Sequence, residues 1–310
     1  MVKIIITGGA GFIGSSLAIR LLEKGHQVLI VDNLFSGKKD YIPSKAKFYN
    51  LDILDKKLAK IFSSFKPDYV FHLAAQVDVR KSVTDPVFDN EVNVKGGLNV
   101  LQQCIKHKVK KIVFSSTGGA IYGEAKIIPT SETYDTKPLS PYGINKLCFE
   151  HYLRYYNQMF NLDYTVLRFA NVYGPRQYKG GEAGVVAIFS QQVVLGKQLT
   201  LNGSGRQTRD FIFIDDVVKA LEITLLKKYT GEINIGSGKE SSLLQIIRTL
   251  KEVSGKKLEI KKNPSSKGEQ QRSCLDSSLA KKVLNWKAET SLAKGIELTY
   301  NWSLNNLNKL

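Results

Sequence analysis

The chain has few of the residues that build disulfide frameworks or metal sites. Its 310 residues include three cysteines, Cys104, Cys148 and Cys274, which are odd in number and far apart. No CxxC pair is present, and the four histidines are scattered along the chain. This pattern argues against a disulfide-stapled fold and a zinc site, and it predicts reduced thiols in the cytoplasm.

Long apolar runs are also missing. No such run reaches the roughly 20 residues that a membrane-spanning helix needs. The chain starts with Met1 and leads at once into IIITGG, whose apolar stretch is too short for a secretory signal and ends at glycine. We therefore expect no signal peptide and no membrane partner. A hydrophobic content of 43% predicts a packed globular protein of one large or two modest domains.

The chain is strongly basic, with 45 Lys and Arg against 28 Asp and Glu and a formal net charge of +17. Such a charge could indicate nucleic acid, a membrane surface or an anionic small substrate. The lysines are spread along the chain, and no Arg-aromatic array or nucleic-acid motif accompanies them. We therefore expect solvated basic faces with a general attraction for anions, and no nucleic-acid partner.

Strand-like and helix-like segments alternate through the first part of the chain. Strands are predicted at 3–7, 27–32, 46–52, 68–75, 110–116 and 163–169, and helices at 15–25, 55–65, 87–107 and 142–159. The alternation predicts a Rossmann-type α/β fold, a doubly wound parallel sheet covered on both faces. The rhythm loosens after about residue 170. We predict a first domain at 1–170 and a smaller α/β lobe at 171–310, packed together with a cleft between them.

Four glycines separate the first strand from the first helix. Gly8, Gly9, Gly11 and Gly14 in TGGAGFIG satisfy both GxGxxG and GxxGxxG. Glycine permits a tight turn, close approach of the backbone to a pyrophosphate, and close packing of helix on sheet. The N-terminus of the helix would then face the phosphates with free N–H groups. This context predicts a dinucleotide site.

Asp32 ends the second strand, eighteen residues after Gly14. A carboxylate there can bind both ribose hydroxyls and would repel a 2′-phosphate, which favours NAD over NADP. The alternative is an aspartate that simply starts a turn. Asp52, after the third strand, could meet the adenine amine, and the small residues of 73–75 would let a dinucleotide lie across the sheet edge.

The stretch SPYGINK places Tyr142 four residues before Lys146. Residues four apart on a helix share a face. A free phenol has a pKa of about 10. A nearby ammonium and the positive nicotinamide ring would lower that pKa, so Tyr142 could take a proton from an alcohol while hydride leaves for NAD. At the end of the preceding strand, Ser115, Ser116 and Thr117 offer hydroxyls. Thr117 could bind the reacting hydroxyl, or it could only cap the strand end.

Several motifs occur in order over nearly the whole chain: TGGAGFIG, DNLFSG, HLAA, SSTGGAIYG, SPYGINK, LRFANVYGPRQ, GEAGVVAIF and RQTRDFIFIDDVV. Together they resemble the extended short-chain dehydrogenases/reductases, and most closely the UDP-glucose 4-epimerase family. The resemblance implies tightly bound NAD, a UDP-sugar substrate and the catalytic set Thr117, Tyr142 and Lys146. It also implies that UDP-galactose and UDP-glucose interconvert through a transient 4-keto sugar.

The resemblance also implies contacts for each ligand. For the cofactor they are Gly8, Gly11, Phe12, Ile13, Gly14, Asp32, Asn33, Ser36, Gly37, Asp52, Ile53, Leu73, Ala74, Ala75, Gln76, Asn93, Ser115, Tyr142 and Lys146. For the nucleotide sugar they are Ser82, Thr117, Asn171, Ala183, Gly184, Val185, Val186, Leu201, Arg209 and Ser273. Arg209 would bind the pyrophosphate, unless it forms a local ion pair with the neighbouring Asp210.

The residues after Thr117 bear on the reaction type. Dehydratases of this kind place an Asp-Glu pair there, and related decarboxylases usually have a carboxylate, whereas this chain has Gly118 and Gly119. Plain epimerisation is therefore favoured. The alternatives are a UDP-glucuronate epimerase, a dehydratase or a reductase acting on a nucleotide sugar, and a catalytically silent dinucleotide-sensing protein.

Two positions depart from the family pattern. Ser266 stands where the family normally has an arginine, and Lys267 could replace it only as a point charge. Ser273 stands where many galactose-type epimerases have a bulky tyrosine, so N-acetylated sugars could also enter, or Ser273 is only a polar loop residue. The resemblance further implies a homodimer formed through the helices at 87–107 and 142–159.

Overall fold

The structure is a computed structural model that describes residues 1–177, 184–264 and 270–307. The strands are β1 (Lys3–Thr7), β2 (Gln27–Asp32), β3 (Lys47–Asn50), β4 (Tyr69–His72), β5 (Lys111–Thr117), β6 (Asp163–Phe169), β7 (Asn171–Tyr173), β8 (Leu199–Asn202), β9 (Thr208–Phe213), β10 (Gly231–Ile235), β11 (Glu240–Ser242), β12 (Ile260–Asn263) and β13 (Arg272–Ser273). The α-helices are α1 (Phe12–Glu23), α2 (Leu58–Phe65), α3 (Val79–Thr84), α4 (Pro86–Asn90), α5 (Gly97–Lys106), α6 (Gly118–Ile121), α7 (Pro141–Phe160), α8 (Val185–Val194), α9 (Ile214–Thr224), α10 (Leu243–Ser254), α11 (Ser278–Leu284) and α12 (Leu292–Asn305). Within the described ranges, no helix combines the length and apolar character needed to cross a membrane.

A seven-stranded parallel sheet forms the centre of the molecule, in the order β10-β6-β5-β4-β1-β2-β3. The strand order changes direction between β1 and β4. In open α/β sheets a ligand crevice forms outside the carboxyl ends of the strands at such a switch point. The predicted Rossmann-type fold is confirmed, and its topology places a cleft where the glycine-rich turn leaves β1.

The central strands are buried on both faces because successive side chains of a strand point to opposite sides. Ile4 and Ile6 of β1 pack in one apolar cluster with α1 and α9, whereas Ile5 packs in a second cluster with α2 and α5. All three isoleucines are fully buried. This explains why β1 reads as a continuous apolar run rather than an alternating one.

The seventh strand of the sheet comes from the second part of the chain. β10 pairs in parallel with β6, so that Ile233 lies beside Leu167. The ammonium of buried Lys111 fixes the segment that leads into β10, because it donates to the carbonyls of Thr224, Lys227 and Tyr229 at 2.9 to 3.1 Å. The sheet therefore uses residues from both sides of the predicted boundary at residue 170, and the division into two domains stays a prediction.

The segment predicted as one helix at 87–107 is helical but not regular. α4 and α5 are joined by a π-helical segment, Glu91–Gly96. Within it, the Asn93 side chain accepts from the Gln76 N–H at 3.0 Å and donates to the Gln76 carbonyl at 2.9 Å. π-Segments in helices often occur at functional sites. Here the irregular turn connects the helix to the loop that follows β4.

Local chemistry sets the ends of α7, the helix that carries Tyr142 and Lys146. Ser140 caps its N-terminus by accepting from the Gly143 N–H, and Pro141 occupies the first turn, where its missing N–H costs little. Asn161 ends the helix in the left-handed region at φ 55°. Asparagine tolerates that conformation better than most residues.

A buried ion pair joins α7 to the sheet. Arg168 of β6 donates to both oxygens of the Glu150 carboxylate, at 3.1 and 2.6 Å. Ser116 of β5 donates to the same carboxylate at 2.6 Å, and Arg168 also donates to the Tyr122 hydroxyl at 2.9 Å. The two charged side chains are only 5% and 2% exposed. Each charge has its partner in the folded protein. Removing either partner would leave a buried, unpaired charge, which lowers the stability of the fold.

We predict that Glu150→Leu lowers the free energy of unfolding by about 3–5 kcal/mol, because it leaves the Arg168 guanidinium buried without its counter-ion. Urea unfolding would measure the change. Glu252→Leu is the matched control, since Glu252 pairs with Arg248 on the surface, where such pairs contribute about 1 kcal/mol or less. The double variant Glu150→Leu/Arg168→Met should regain most of the loss. Equal effects of Glu150→Leu and Glu252→Leu would contradict the prediction.

Candidate active site

A cleft of about 640 Å³ opens at the carboxyl ends of the central strands. Both parts of the chain line it. Most of the residues predicted from the sequence meet there, namely Gly8, Gly11, Phe12, Ile13, Gly14, Asp32, Asn33, Ser36, Asp52, Ile53, Leu73, Ala74, Ala75, Gln76, Ser115, Thr117, Tyr142, Lys146, Asn171, Gly184, Val185, Val186 and Arg209.

Three predicted residues lie behind this lining and support it. Asn93 is bonded to Gln76, as described above. The buried Ser82 hydroxyl accepts from the Tyr142 N–H at 3.2 Å, which connects α3 to the start of α7. Gly37 packs against Asp32, and a Cβ there would lie 2.9 Å from Asp32 Oδ1.

Two further predicted sugar-binding residues lie outside the described lining. Leu201 is buried in the core on β8. Ser273 lies on β13, paired in register with Arg209 of β9. Paired residues of neighbouring strands point to the same face of a sheet, so the Ser273 side chain lies on the Arg209 side. The predictions for Ala183, Ser266 and Lys267 fall outside the described residues.

The turn between β1 and α1 has no room for side chains at two glycines. A Cβ on Gly8, whose φ is +71°, would lie 2.6 Å from Ala74 N, and one on Gly14 would lie 2.1 Å from the Gly8 carbonyl oxygen. Gly11 precedes the first turn of α1 and makes no side-chain cap. The N–H groups of that turn are therefore left for a ligand, and an anion is favoured at a helix N-terminus. This cradle fits the pyrophosphate of a dinucleotide.

Asp32 makes the turn contact that was one of its two predicted roles, and it also lines the cleft, where the predicted ribose contact would be made. Its carboxylate accepts from Leu34 N at 2.8 Å, which is the turn contact, and from Ala10 N at 2.9 Å, while the residue also lines the cleft. Burial raises the pKa of Asp32, and the two N–H bonds oppose this. An ionised carboxylate has about four acceptor positions, so two remain for ribose hydroxyls. Asp52, which also lines the cleft, accepts a hydrogen bond from the side-chain amide of Asn33 at 2.8 Å.

Tyr142 and Lys146 share one face of α7 and both line the cleft. Lys146 is buried, and its ammonium donates to the Ser115 carbonyl at 3.0 Å. The same ammonium lies 4.7 Å from the centroid of the Phe114 ring and 5.8 Å from that of the Tyr142 ring. The arrangement thus holds a buried positive charge close to the Tyr142 ring.

Thr117 lies at the N-terminus of α6 but makes no capping bond with its side chain. A Cβ built on Gly119 would lie 3.9 Å from Thr117 Oγ1 and 3.8 Å from Asn171 Oδ1, so both polar groups border the same open space. Gly118 is different, since a Cβ there would lie 2.5 Å from Leu275 Cδ1. An acidic residue directly after Thr117 would therefore not fit without a shift of Leu275.

Arg209 and Asp210 bind different groups. Arg209 donates to the carbonyls of Thr208 at 2.8 Å and Gln270 at 2.7 Å. Asp210 is buried and accepts from the N–H and hydroxyl of Ser237, at 2.8 and 2.6 Å, and from two further backbone N–H groups. Burial raises the pKa of Asp210, and these hydrogen bonds oppose the shift. The carboxylate thus has structural partners of its own while Arg209 faces the cleft.

Sequence reasoning assigned no role to His72, although HLAA was among the quoted motifs. His72 is buried under the site, with Nδ1 2.7 Å from Thr7 Oγ1 and its ring stacked on Phe114. Burial, and secondarily the Lys146 charge, lower its pKa to about 3. The imidazole is therefore neutral at physiological pH.

Gln270, which also lines the cleft, was missed too, because no motif near it indicated a role.

The NAD dependent epimerase/dehydratase family model matches residues 4–236. The chain belongs to this family. Its members are NAD-dependent, and the glycine cradle and Asp32 fit that cofactor in this structure.

Relatives of this chain cover almost its entire length. The UDP-glucose 4-epimerase of Mycolicibacterium smegmatis is 40% identical over 303 residues, covering 96% of this chain and 97% of its own. A structure of the UDP-glucose 4-epimerase from Thermotoga maritima with UDP-glucose is 45% identical, with a TM-score of 0.95 over 98% of this chain and 99% of that one. A structure of the Thermus thermophilus UDP-glucose 4-epimerase with NAD is 40% identical, with a TM-score of 0.94 and the same coverage.

We predict that the buried His72 makes the protein less stable in mild acid. The unfolded chain takes up a proton at a pKa of about 6.5, whereas the folded imidazole does so only at about 3. His72 therefore makes its full contribution to the free energy of unfolding above pH 6.5, and this contribution is lost as the pH falls towards 3. Between pH 7 and pH 5 the loss amounts to about 2 kcal/mol. Urea unfolding at both pH values would measure it.

His72→Asn keeps a polar side chain that does not titrate, so its stability should fall less than that of the parent over this interval. His151→Asn is the control, because it makes the same substitution at an exposed histidine. The prediction is wrong if His72→Asn and the parent lose the same free energy of unfolding.

Proposed function

We propose that this protein is a UDP-sugar 4-epimerase that interconverts UDP-galactose and UDP-glucose, a step of galactose metabolism. The observation that carries the proposal is a single cleft that joins the dinucleotide cradle of Gly8 and Gly14 to the pair Tyr142 and Lys146. Arg209, from the second part of the chain, lines the same cleft. The names of the relatives and the ligands of their structures support this substrate class.

Bound NAD would accept hydride from the sugar and return it. The side chains of this protein would handle the accompanying proton. Tyr142, as phenolate, takes the proton of the C4 hydroxyl as the 4-keto sugar forms. Thr117 donates a hydrogen bond to the same oxygen and keeps it in place. After the sugar has turned to present its other face, Tyr142 returns the proton and C4 is inverted.

The charges around Tyr142 suit this role. The Lys146 ammonium is oriented by the Ser115 carbonyl on one side and the Phe114 ring on the other. The neighbouring His72 is neutral and therefore adds no second positive charge beside Lys146. Preorganised charge in a water-poor cleft acts more strongly than the same charge in water.

The other end of the cleft suits a nucleoside diphosphate. Arg209 offers a planar fork of donors, which matches phosphate geometry. α8 begins at Val185 after Gly184, an N-cap residue without a side chain, and both residues line the same space, where first-turn N–H groups suit an anion. Val185 and Val186 add apolar surface for a base. The net charge of +17 would also favour an anionic substrate.

N-acetylated UDP-sugars are a second substrate class in this proposal. Ser273 is small and lies beside Arg209 on the neighbouring strand. A larger side chain there would extend from the same face of the sheet as Arg209. Ser273 is therefore a candidate for admitting the acetamido group.

Other reactions known among nucleotide-sugar enzymes are less well supported. Gly118 and Gly119 supply no carboxylate for dehydration, and a side chain at Gly118 would require a shift of Leu275. UDP-glucuronate epimerisation stays open and should be tested with that substrate. A net reductase would accumulate oxidised or reduced cofactor in proportion to product, whereas an epimerase would not.

The proposal includes a homodimer in the cytoplasm. α7 carries exposed apolar side chains at Ile144, Tyr155 and Met159, and Val87 of the adjacent α4 is also exposed. Clusters of this kind often mark protein interfaces. Sedimentation of the purified protein as a monomer would contradict the dimer.

We predict that the purified protein converts UDP-galactose to UDP-glucose without added NAD, and that Tyr142→Phe lowers kcat by about 10²–10⁴-fold because the proton acceptor is lost. A proton NMR time course would follow both sugars directly. UDP-glucuronate and UDP-N-acetylgalactosamine would be run in parallel.

Tyr155→Phe is the matched control, because Tyr155 lies on the same helix but is exposed and outside the described lining. It should retain the parental rate. Full activity of Tyr142→Phe would remove Tyr142 from the mechanism, and no conversion of any substrate, even with NAD supplied, would exclude 4-epimerisation of these sugars.

We predict that Ser273→Tyr lowers kcat/KM for UDP-N-acetylgalactosamine by about tenfold or more, because the larger side chain competes with the acetamido group. The value for UDP-galactose should change little. Ser273→Ala stays small and should keep both activities. Unchanged turnover of the acetylated sugar by Ser273→Tyr would show that this position does not select the substrate.

A further inference from the structure

At the rim of the cleft, one lysine contacts two aromatic rings. The Lys81 ammonium, on α3, is 4.8 Å from the centroid of the Phe35 ring and 4.2 Å from that of the Phe88 ring. The two ring centroids are 6.4 Å apart. Phe35 comes from the loop after β2 and Phe88 from α4, so three separate segments meet at one cation.

This group lies at the cofactor end of the cleft. Phe35 and Phe88 line the same space as Asp32 and Asn33. The loop that carries Phe35 is held by those residues, since Asp32 accepts from Leu34 N at 2.8 Å and Asn33 accepts from Phe35 N at 3.0 Å. The Phe35 ring therefore extends from the same turn that presents the carboxylate expected to bind the ribose.

The other side of the group is anchored to the catalytic helix. Ser82, next to Lys81, accepts from Tyr142 N, and Asp89, next to Phe88, accepts from the Asn145 amide at 2.7 Å. The contact between Phe35 and Lys81 thus bridges the cleft from the β2 side to the α7 side.

Core packing does not explain Phe35. The residue is 69% exposed, an unusual position for a phenylalanine that stabilises a core. Its observed contacts are with Lys81 and Phe88 at the cleft. A largely exposed aromatic side chain whose ring contacts lie at the cleft indicates a role at the site rather than in the fold.

We propose that Phe35, Lys81 and Phe88 form a cation–π clasp that closes the cofactor end of the cleft and slows the release of NAD. The inference rests on the NAD dependence of the family, and it gives a physical reason for retention in the proposed epimerase, which would regenerate its cofactor in each turnover. Breaking one such contact is expected to speed release about two- to fivefold, because a cation–π contact at an exposed site is weak.

The test measures cofactor release without any sugar. The holoprotein is loaded with isotope-labelled NAD and chased with excess unlabelled NAD, and mass spectrometry follows the label that remains bound. Phe35→Leu keeps an apolar side chain without the ring, and Lys81→Met keeps the stem without the charge. Both should release NAD about two- to fivefold faster than the parent. Lys81→Arg retains a cation and should restore slow release.

Lys95→Met is the matched control, because Lys95 is an exposed lysine of the neighbouring π-helical segment whose partner is Glu91. It should release NAD at the parental rate. Parental release from Phe35→Leu would overturn the clasp. Fast release from Lys81→Met alone would also overturn it, since the lysine would then bind the cofactor directly. The sugar assay remains independent, so its failure and this one are distinguishable.

Discussion

The position of α7 against the end of β5 is the constraint on which the candidate site depends. Lys146 is bonded to the Ser115 carbonyl, and one turn later Glu150 is bonded to Ser116 and Arg168. These contacts join the helix to two consecutive residues of the strand, and the next residue is Thr117. The helix cannot slide without exposing or unpairing a buried charge. Tyr142, Lys146 and Thr117 are therefore positioned before a substrate binds, which is where much of the rate enhancement of an enzyme originates.

The substrate end of the cleft depends on a different polar centre. Asp210 joins β9 to the turn after β10 and to the backbone at Leu275, next to β13, through hydrogen bonds from Ser237, Gly238 and Leu275. Because β10 is also the edge strand of the main sheet, this carboxylate links the second part of the chain to the first. Arg209 is adjacent to it in sequence and faces the cleft. The proposed contact of Arg209 with an anionic ligand would thus rest on buried polar contacts rather than on a mobile surface loop.

Parts of the site that arise from short-range geometry could be predicted from the sequence. The glycines of the first turn, Asp32 at the end of β2 and the separation of Tyr142 from Lys146 each act over a few residues in a known element. The structure brings all of them to one cleft. The parallel sheet was predictable for the same reason, since alternating strands and helices admit few arrangements. His72 and Gln270 were missed because their environments depend on residues far away in the chain.

The sequence by itself determined the kind of fold, the cofactor cradle and the chemistry of a Tyr-Lys pair, because periodicity, turn geometry and helix spacing are local. Tertiary structure alone decided the addition of β10 to the main sheet, the π-helical segment before α5 and the contact of Lys81 with two rings. It also decided which charged groups are buried. These features follow from long-range packing, in which a side chain's partner is set by the folded chain as a whole and not by its neighbours in sequence.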